Sequence, residues 1–412
     1  MKKELLLLFL PFMLNAESLK SLLEFADKAN NLIVAKDLQA QSKKSEMDSS
    51  KNDLYPTVDI GAYYKRDDKP NVILPGTTFS GYAKIGYDIY VGGRKENTIE
   101  QKRGALKSSQ FDKKATKNSI ELAIVQDFYN LKSKEATLSA REEASKAVKA
   151  QLTRMEEFLK ASLATQDDVD RLQSAYDSNI YVIESLKFEV LSLKKSLELK
   201  VGKRIDSLDA STFIKSESAA QELDKIRALR ATKSSIMMSA EIIDSYYYPQ
   251  IRIEDTYSLY GYADEPSLAG FNIEQVSNQN QLLATLNMRL YDFGTLSKSK
   301  RSALLQADAL GEEIKYKTKE QKLQQELALQ RIVTSKLNIK SASSALKSAK
   351  SALTTITKKY NSGIVDNVVY LDALTARTEA QATYQTALNN LELSYALYYY
   401  YNANNLEEYL HE

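Results

Sequence analysis

The sequence predicts a mainly α-helical protein with a β-barrel portion, built as a tandem-repeat protomer of long coiled-coil helices and four amphipathic strands. Three observations lead there. Arg94 to Phe158 and Thr295 to Tyr360 are proline-free runs of 65 and 66 residues with helical patterning throughout. Four other runs, each of roughly ten residues, alternate apolar and polar residues at period two. The junctions flanking those runs occur twice: "LYPTVDI" (54–60) and "YYPQIRI" (247–253) before them, "DIYVGGR" (88–94) and "RLYDFGT" (289–295) after them. Such self-similarity, here with a period of about 200 residues, marks an internal repeat.

Residues 1–16, "MKKELLLLFLPFMLNA", pair Lys2 and Lys3 with an apolar run and end in Asn-Ala, as a secretory signal does. Cleavage is expected near Glu17. Leu14 stands where a small residue is preferred, which leaves a short membrane anchor as the other reading. The first repeat, 17–217, then comprises a helix over about 18–52, strands near 56–66 and 80–91, a long helix 94–160, a helix 166–201 and a connector 202–218. The second, 218–412, comprises a helix 219–247, strands near 250–260 and 282–292, a long helix 295–360, a helix 366–401 and a C-terminal tail.

In the first strand pair Val58, Ile60, Ala62 and Tyr64 share a face, as do Ala83, Ile85, Tyr87 and Ile89. In the second, Ile251, Ile253, Tyr257 and Leu259 share one, as do Ala284, Leu286, Met288 and Leu290, with Asp255 as the one charge on the apolar side. About ten residues is the length of a tilted strand crossing a bilayer. Tyrosines crowd the runs and their ends, as interfacial aromatic belts do. Two soluble hairpins half buried on a core are the alternative. No segment after residue 16 approaches the roughly 20 apolar residues of a membrane helix, so a spanning segment must be a strand.

Each long helix extends about 100 Å at 1.5 Å per residue. Val169, Leu172, Tyr176, Asn179, Ile183, Leu186, Val190, Leu193 and Leu197 alternate spacings of three and four, a heptad seam along the helix after the first break. Pairs of shorter helices stacked end to end match one long helix, which places 202–218 at mid-height. The tyrosine run 398–401 falls about halfway along the rod and is assigned to packing there.

Composition removes several function classes. The 56 basic residues nearly balance the 54 acidic ones, so no basic field points to nucleic acid. The chain has no cysteine, hence no disulfide, no thiolate metal site and no lipidated cysteine anchor, and its one histidine is His411. It has no phosphate-binding glycine loop, nucleophile elbow or histidine-rich metal motif. We therefore expect no enzyme activity, no cofactor and no metal.

An open four-stranded sheet in lipid leaves its edge groups unpaired, so closure requires several copies of the chain. Two, three or four copies all give an even-stranded barrel. The order helix, strand pair, long helix, break and shorter helix, with "YP" before the first strand, "Y-x-x-G" after the second and "Y-x-x-G-x-x-x-x-x-x-x-L-D-A-L" at the break, resembles the TolC family of outer-membrane efflux proteins over residues 17 to 405. The resemblance implies a homotrimer with a 12-stranded barrel in the Gram-negative outer membrane, continuous with a helical tunnel through the periplasm. It also implies a periplasmic adaptor and an inner-membrane transporter as partners, with outer-membrane lipid around the barrel. The implied role is a passive exit duct for drugs, other small molecules or polypeptides, in an efflux pump or a type I secretion system. An exported coiled-coil stalk or adhesin without a pore is the alternative.

The breaks "FLKASLATQDDVDRL" (158–172) and "YNSGIVDNVVYLDAL" (360–374) align without a gap, Asp170 on Asp372. The resemblance makes them periplasmic hairpin tips. It assigns Asp167 and Asp372 to the aperture, Tyr360 to the contact that holds it closed, and lets Asp170 restore an acidic layer where Val369 replaces a family aspartate. Val365 replaces an arginine of the family's closing network. Asp167 is the acidic partner expected for Tyr360. Thr165 with Asp168 reads as a capping box, and Asp366 as the cap of the second returning helix. Asp167, Asp170 and Asp372 also sit where a helix N-terminus favours carboxylates, so a gate and a helix-dipole role both stand. Ser162, Leu163, Gly363, Ile364 and Val365 form tips suited to adaptor docking, or to packing on the neighbouring hairpin.

Overall fold

The computed structural model describes residues 17–69, 75–263 and 275–411; the expected signal lies outside them. In chain order they form α1 (Leu19–Ala29), α2 (Asn31–Asn52), β1 (Thr57–Arg66), β2 (Thr77–Val91), α3 (Arg94–Lys160), α4 (Gln166–Val201), α5 (Asp224–Asp244), β3 (Gln250–Ala263), β4 (Asn278–Asn287), α6 (Thr295–Asn361) and α7 (Asn367–Tyr401). Short 3-10 turns occupy Ser245–Tyr247 and Leu406–Tyr409. The contacts divide the chain into two compact units, one of residues up to Asp37, Asp112–Lys225 and those from Lys317 onward, the other of Leu38–Phe111 and Ile226–Tyr316.

The sheet belongs to the second unit. Its four strands are antiparallel in the order β1-β2-β3-β4. Val58 lies opposite Ile85, Ile60 opposite Ala83 and Tyr64 opposite Phe79; Tyr87 faces Ile253, Ala83 faces Tyr257, Ile253 faces Ala284 and Ile251 faces Leu286. Because strand side chains alternate sides, these residues share one face, and Val58, Ile60, Ile85, Tyr257, Leu282 and Leu286 on it are exposed. Asp255, between Ile85 and Leu282, is on that face too. The opposite face is charged: Arg252 meets Asp88 at 2.9 Å and Glu254 at 3.5 Å, Lys84 meets Glu254 at 3.7 Å, and Lys95 at the start of α3 meets Asp88 at 3.1 Å.

Two strand expectations are corrected. The ladder with β3 holds β4 from Asn278 to Asn287, not 282–292, because β3 begins only at Gln250, after Pro249. Beyond Asn287 the chain has no partner in the sheet, and Asp292 turns it into α6 by accepting the amides of Gly294 at 3.0 Å and Leu296 at 2.8 Å. In β2 the register shifts between Asp88 and Tyr90, so Ile89 is the extra residue of a bulge and Tyr90 pairs with Ile251. In the same unit α5 approaches α3 closely at Gly104, where a Cβ would meet the Ser235 backbone at 3.1 Å. Ser235 Oγ donates to the Gln101 carbonyl at 2.8 Å.

The first unit is helical and has two cores. One gathers Leu19, Leu22 and Leu23 of α1, Ile124, Val125, Phe128 and Leu131 of α3, Leu197 and Val201 of α4, and Tyr399 of α7 around Ile205 and Phe213 of the connector. Tyr399 is wholly buried, stacks on Tyr409 at 3.9 Å and donates to the Ile214 carbonyl. The Phe213 amide donates to Glu392 Oε2 at 2.7 Å. The connector is thus pinned by the tyrosine run and the C-terminal tail. It extends to Leu223, and α5 starts at Asp224 instead of 219. The expected 18–52 helix is broken at Asn30, whose Oδ1 accepts the Leu32 amide at 2.9 Å to start α2 while its Nδ2 donates to the Lys200 carbonyl at 2.6 Å. The second core, Ala144, Val148, Leu152, Leu172, Tyr370 and Leu374, joins the two hairpins α3–α4 and α6–α7.

Candidate aperture at the helical hairpin turns

Both hairpins turn by the same device. After α3, the Ser162 amide donates to the Leu159 carbonyl at 2.9 Å and the Leu163 amide to the Phe158 carbonyl at 2.8 Å. After α6, Gly363 donates to Tyr360 at 3.0 Å and Ile364 to Lys359 at 2.9 Å. This pair of bonds is the Schellman motif, which needs a left-handed residue after the helix. Gly363 supplies it with φ 69°, and in the first turn the non-glycine Ser162 does so with φ 58°. Leu163 and Ile364, the residues that follow, are 74% and 71% exposed, whereas Val365 is half-buried.

Each returning helix is then capped. Thr165 accepts the Asp168 amide and the Asp168 carboxylate accepts the Thr165 amide, both at 3.2 Å, a complete capping box. Asp366 accepts the Val369 amide at 3.0 Å. Ser162 therefore corresponds to Gly363, Leu163 to Ile364 and Thr165 to Asp366. That register differs by one residue from the gapless alignment, so Asp170 and Asp372 are not structural equivalents.

Asp167, Asp170 and Asp372 are exposed. Asp167 is held by Arg171 one turn on, Nε to Oδ2 at 2.8 Å, and Asp170 accepts from Gln166 at 2.7 Å. Tyr360 is half-buried and stacks on Tyr370 with ring centroids 5.0 Å apart. Burial pushes its phenol up, Arg154 opposes this, and the neighbouring carboxylate that adds to the rise is Asp168, not Asp167.

The turns are also tied to each other. Arg154 donates to Asn361 Oδ1 at 3.1 Å, and Asn367, only 4% exposed, donates to the Asp168 carbonyl at 3.3 Å. Farther along, Arg377 bonds Glu143 at 3.1 Å and Arg141 meets Glu379 at 3.4 Å. Sequence reading missed Arg154, Asn361 and Asn367. Asn367 carried a signal, being a polar residue one place after a cap, at the head of an apolar helix.

One arrangement outside the turns also escaped the sequence: Asp27, Glu121 and Glu407 bring carboxylate oxygens within 4.8 Å of one another. They lie 94 and 286 residues apart along the chain, so no spacing motif could announce them.

The described residues include two long antiparallel helical hairpins and a four-stranded antiparallel sheet with one apolar face. Solved structures share this fold. The Campylobacter jejuni CmeC outer membrane channel superposes with a TM-score of 0.83 at 15% identity, covering 93% of this chain and 85% of that one. A membrane protein from Pseudomonas aeruginosa gives 0.81 at 14%, covering 93% of each chain. The open state of the Neisseria gonorrhoeae MtrE outer membrane channel gives 0.79 at 15%, covering 94% and 89%. No protein-family model and no curated protein sequence matches the chain. The chain has the fold of these channels.

Proposed function

We propose that the protein is an outer-membrane exit duct of a tripartite efflux pump or type I secretion system, passing drugs, other small molecules or polypeptides outward without catalysis of its own. The observation that carries this reading is the sheet. One face is apolar and exposed, the other is lined with Asp88, Arg252, Glu254 and Lys84, and β1 and β4 are its two edges. A sheet with those two faces suits lipid outside and water inside, and in lipid its edges must be paired. In the homotrimer that the fold suggests, β1 of one copy pairs with β4 of the next and twelve strands close.

In this reading the hairpin turns lie in the periplasm. The exposed Leu163 and Ile364, with Ser162, Gly363 and Val365 around them, meet a periplasmic adaptor, which in turn engages an inner-membrane transporter. Asp167, Asp170 and Asp372 line the entrance. Tyr360, with Tyr370, Asp168 and Arg154 around it, holds the closed form. The likeness to channel proteins supports this assignment through the fold.

Reconstitution of the purified full-length protein into planar bilayers tests it. Discrete single-channel steps are expected, and they should become larger when Tyr360→Ala loosens the turn. A protein that enriches in the outer-membrane fraction yet never conducts would instead be the exported coiled-coil stalk.

A further inference from the structure

Glu121 on α3 is 1% exposed, and neither of its carboxylate oxygens receives a hydrogen bond among the described residues. Asp27 Oδ1 on α1 and Glu407 Oε1 on the C-terminal 3-10 turn are likewise buried without a donor. All three groups point into the one cluster whose oxygens lie within 4.8 Å of each other. Lys117, one turn before Glu121, is the basic group among them. Its ammonium bonds Asp27 Oδ2, stands 3.3 Å from Glu121 Oε1 and reaches Glu407 Oε1 only at 3.9 Å.

The charges do not balance. One ammonium faces three carboxylates, and the oxygen it bonds is not among the four left without donors. A buried carboxylate oxygen with no partner is costly. Glu24 on α1 also faces Glu407. Carboxylates alone, in an irregular arrangement with four open oxygens, suit a hard divalent ion of flexible coordination, which is the chemistry of calcium rather than of the strictly octahedral magnesium.

We propose that Asp27, Glu121 and Glu407 bind a calcium ion that fastens α1 and the C-terminal turn to the long helix α3. Asp27 Oδ1, Glu407 Oε1 and both oxygens of Glu121 supply ligands, while Lys117 keeps its bond to Asp27 Oδ2 and leaves the other two. The ion would lock α1 and the 3-10 turn at Leu406–Tyr409 onto the core that holds the buried Leu22, Leu23 and Ala26.

The test is calorimetric titration of the full-length protein in detergent, stripped with EDTA, with calcium chloride and separately with magnesium chloride. One calcium per chain is expected, with magnesium weaker. Glu121→Gln and Glu407→Gln should each weaken calcium binding by on the order of tenfold or more. Lys117→Gln should tighten it by removing the competing ammonium, whereas a site that is only an ion-pair cluster gains nothing from that change. Glu407→Gln lies near the chain end and serves if Glu121→Gln does not fold. Absence of calcium binding, unchanged binding in the two glutamine variants, or a preference for magnesium would each overturn the proposal. So would a wild-type protein indifferent to calcium that Glu121→Gln stabilises, which would make the cluster a proton site.

Discussion

At Ser162 a serine performs a task that Gly363 performs in the second hairpin. The left-handed conformation costs a non-glycine residue about 1 kcal/mol, from contact between Cβ and the backbone, offset in part by the greater flexibility glycine has when unfolded. Ser162→Gly should therefore tighten the first turn by about 0.5 to 1 kcal/mol. Gly363→Ala should loosen the second by about 1 kcal/mol. A Cβ at Gly363 meets no atom within 4 Å, so the backbone alone would account for that cost. Native-state hydrogen exchange of the turn amides reads both, since local opening reports local stability. Slower exchange after Gly363→Ala would show that the turn does not depend on its left-handed residue. The sequence announced the glycine but not its serine counterpart, because serine carries no left-handed signature.

Among the elements, the helices were legible where their ends carry local chemistry. Thr165 with Asp168, Asp366, and the left-handed Gly202 after α4 each mark a boundary by hydrogen bonds within a few residues. The break at Asn30 carries such a local cap, its Oδ1 accepting the Leu32 amide, but it sits inside a continuous helical pattern and is fixed also by the distant Lys200. The shift of β4 was not legible, because Asn278 to Gln281 join the ladder without any apolar alternation of their own. The connector has the same character. Glu198 at the end of α4 accepts from Lys195 at 2.6 Å and from the Ile205 amide at 3.3 Å, and these hold its carboxyl below the ordinary 4.5, the lysine most of all. A carboxyl lowered in the folded state contributes stability that is present above that ordinary value and is lost as pH falls through the lowered one. The unit that holds the connector should therefore weaken on acidification below about pH 4.5, and Glu198→Gln should remove part of that slope. Thermal unfolding at a series of pH values checks this; an identical acid limb in the variant would show that Glu198 does not anchor the connector.

For the whole molecule, the tandem repeat and the two-faced sheet were readable because each rests on periodicity, whereas the number of copies is a property of edges that one chain leaves open. The entrance charge depends on that number. In a trimer, three copies each of Asp167, Asp170 and Asp372 would surround one axis, and crowded carboxylates attract cations into a narrow mouth. Asp167 does not act alone, since Arg171 lies 2.8 Å from it and offsets part of its charge. As the exit duct proposed above, the protein should therefore prefer cations, Arg171→Ala should raise that preference, and Asp167→Ala/Asp372→Ala should lower it. Reversal potentials across a potassium chloride gradient measure all three. The preference should also decline as salt rises, because exposed charges are screened within about 8 Å at physiological ionic strength. If the double variant keeps the selectivity of the parent, these carboxylates serve their helix N-termini and the entrance field has another source. A double variant with lower selectivity, paired with an Arg171→Ala channel of higher selectivity, would place the field at the turns, because the lining of the sheet is the same in both.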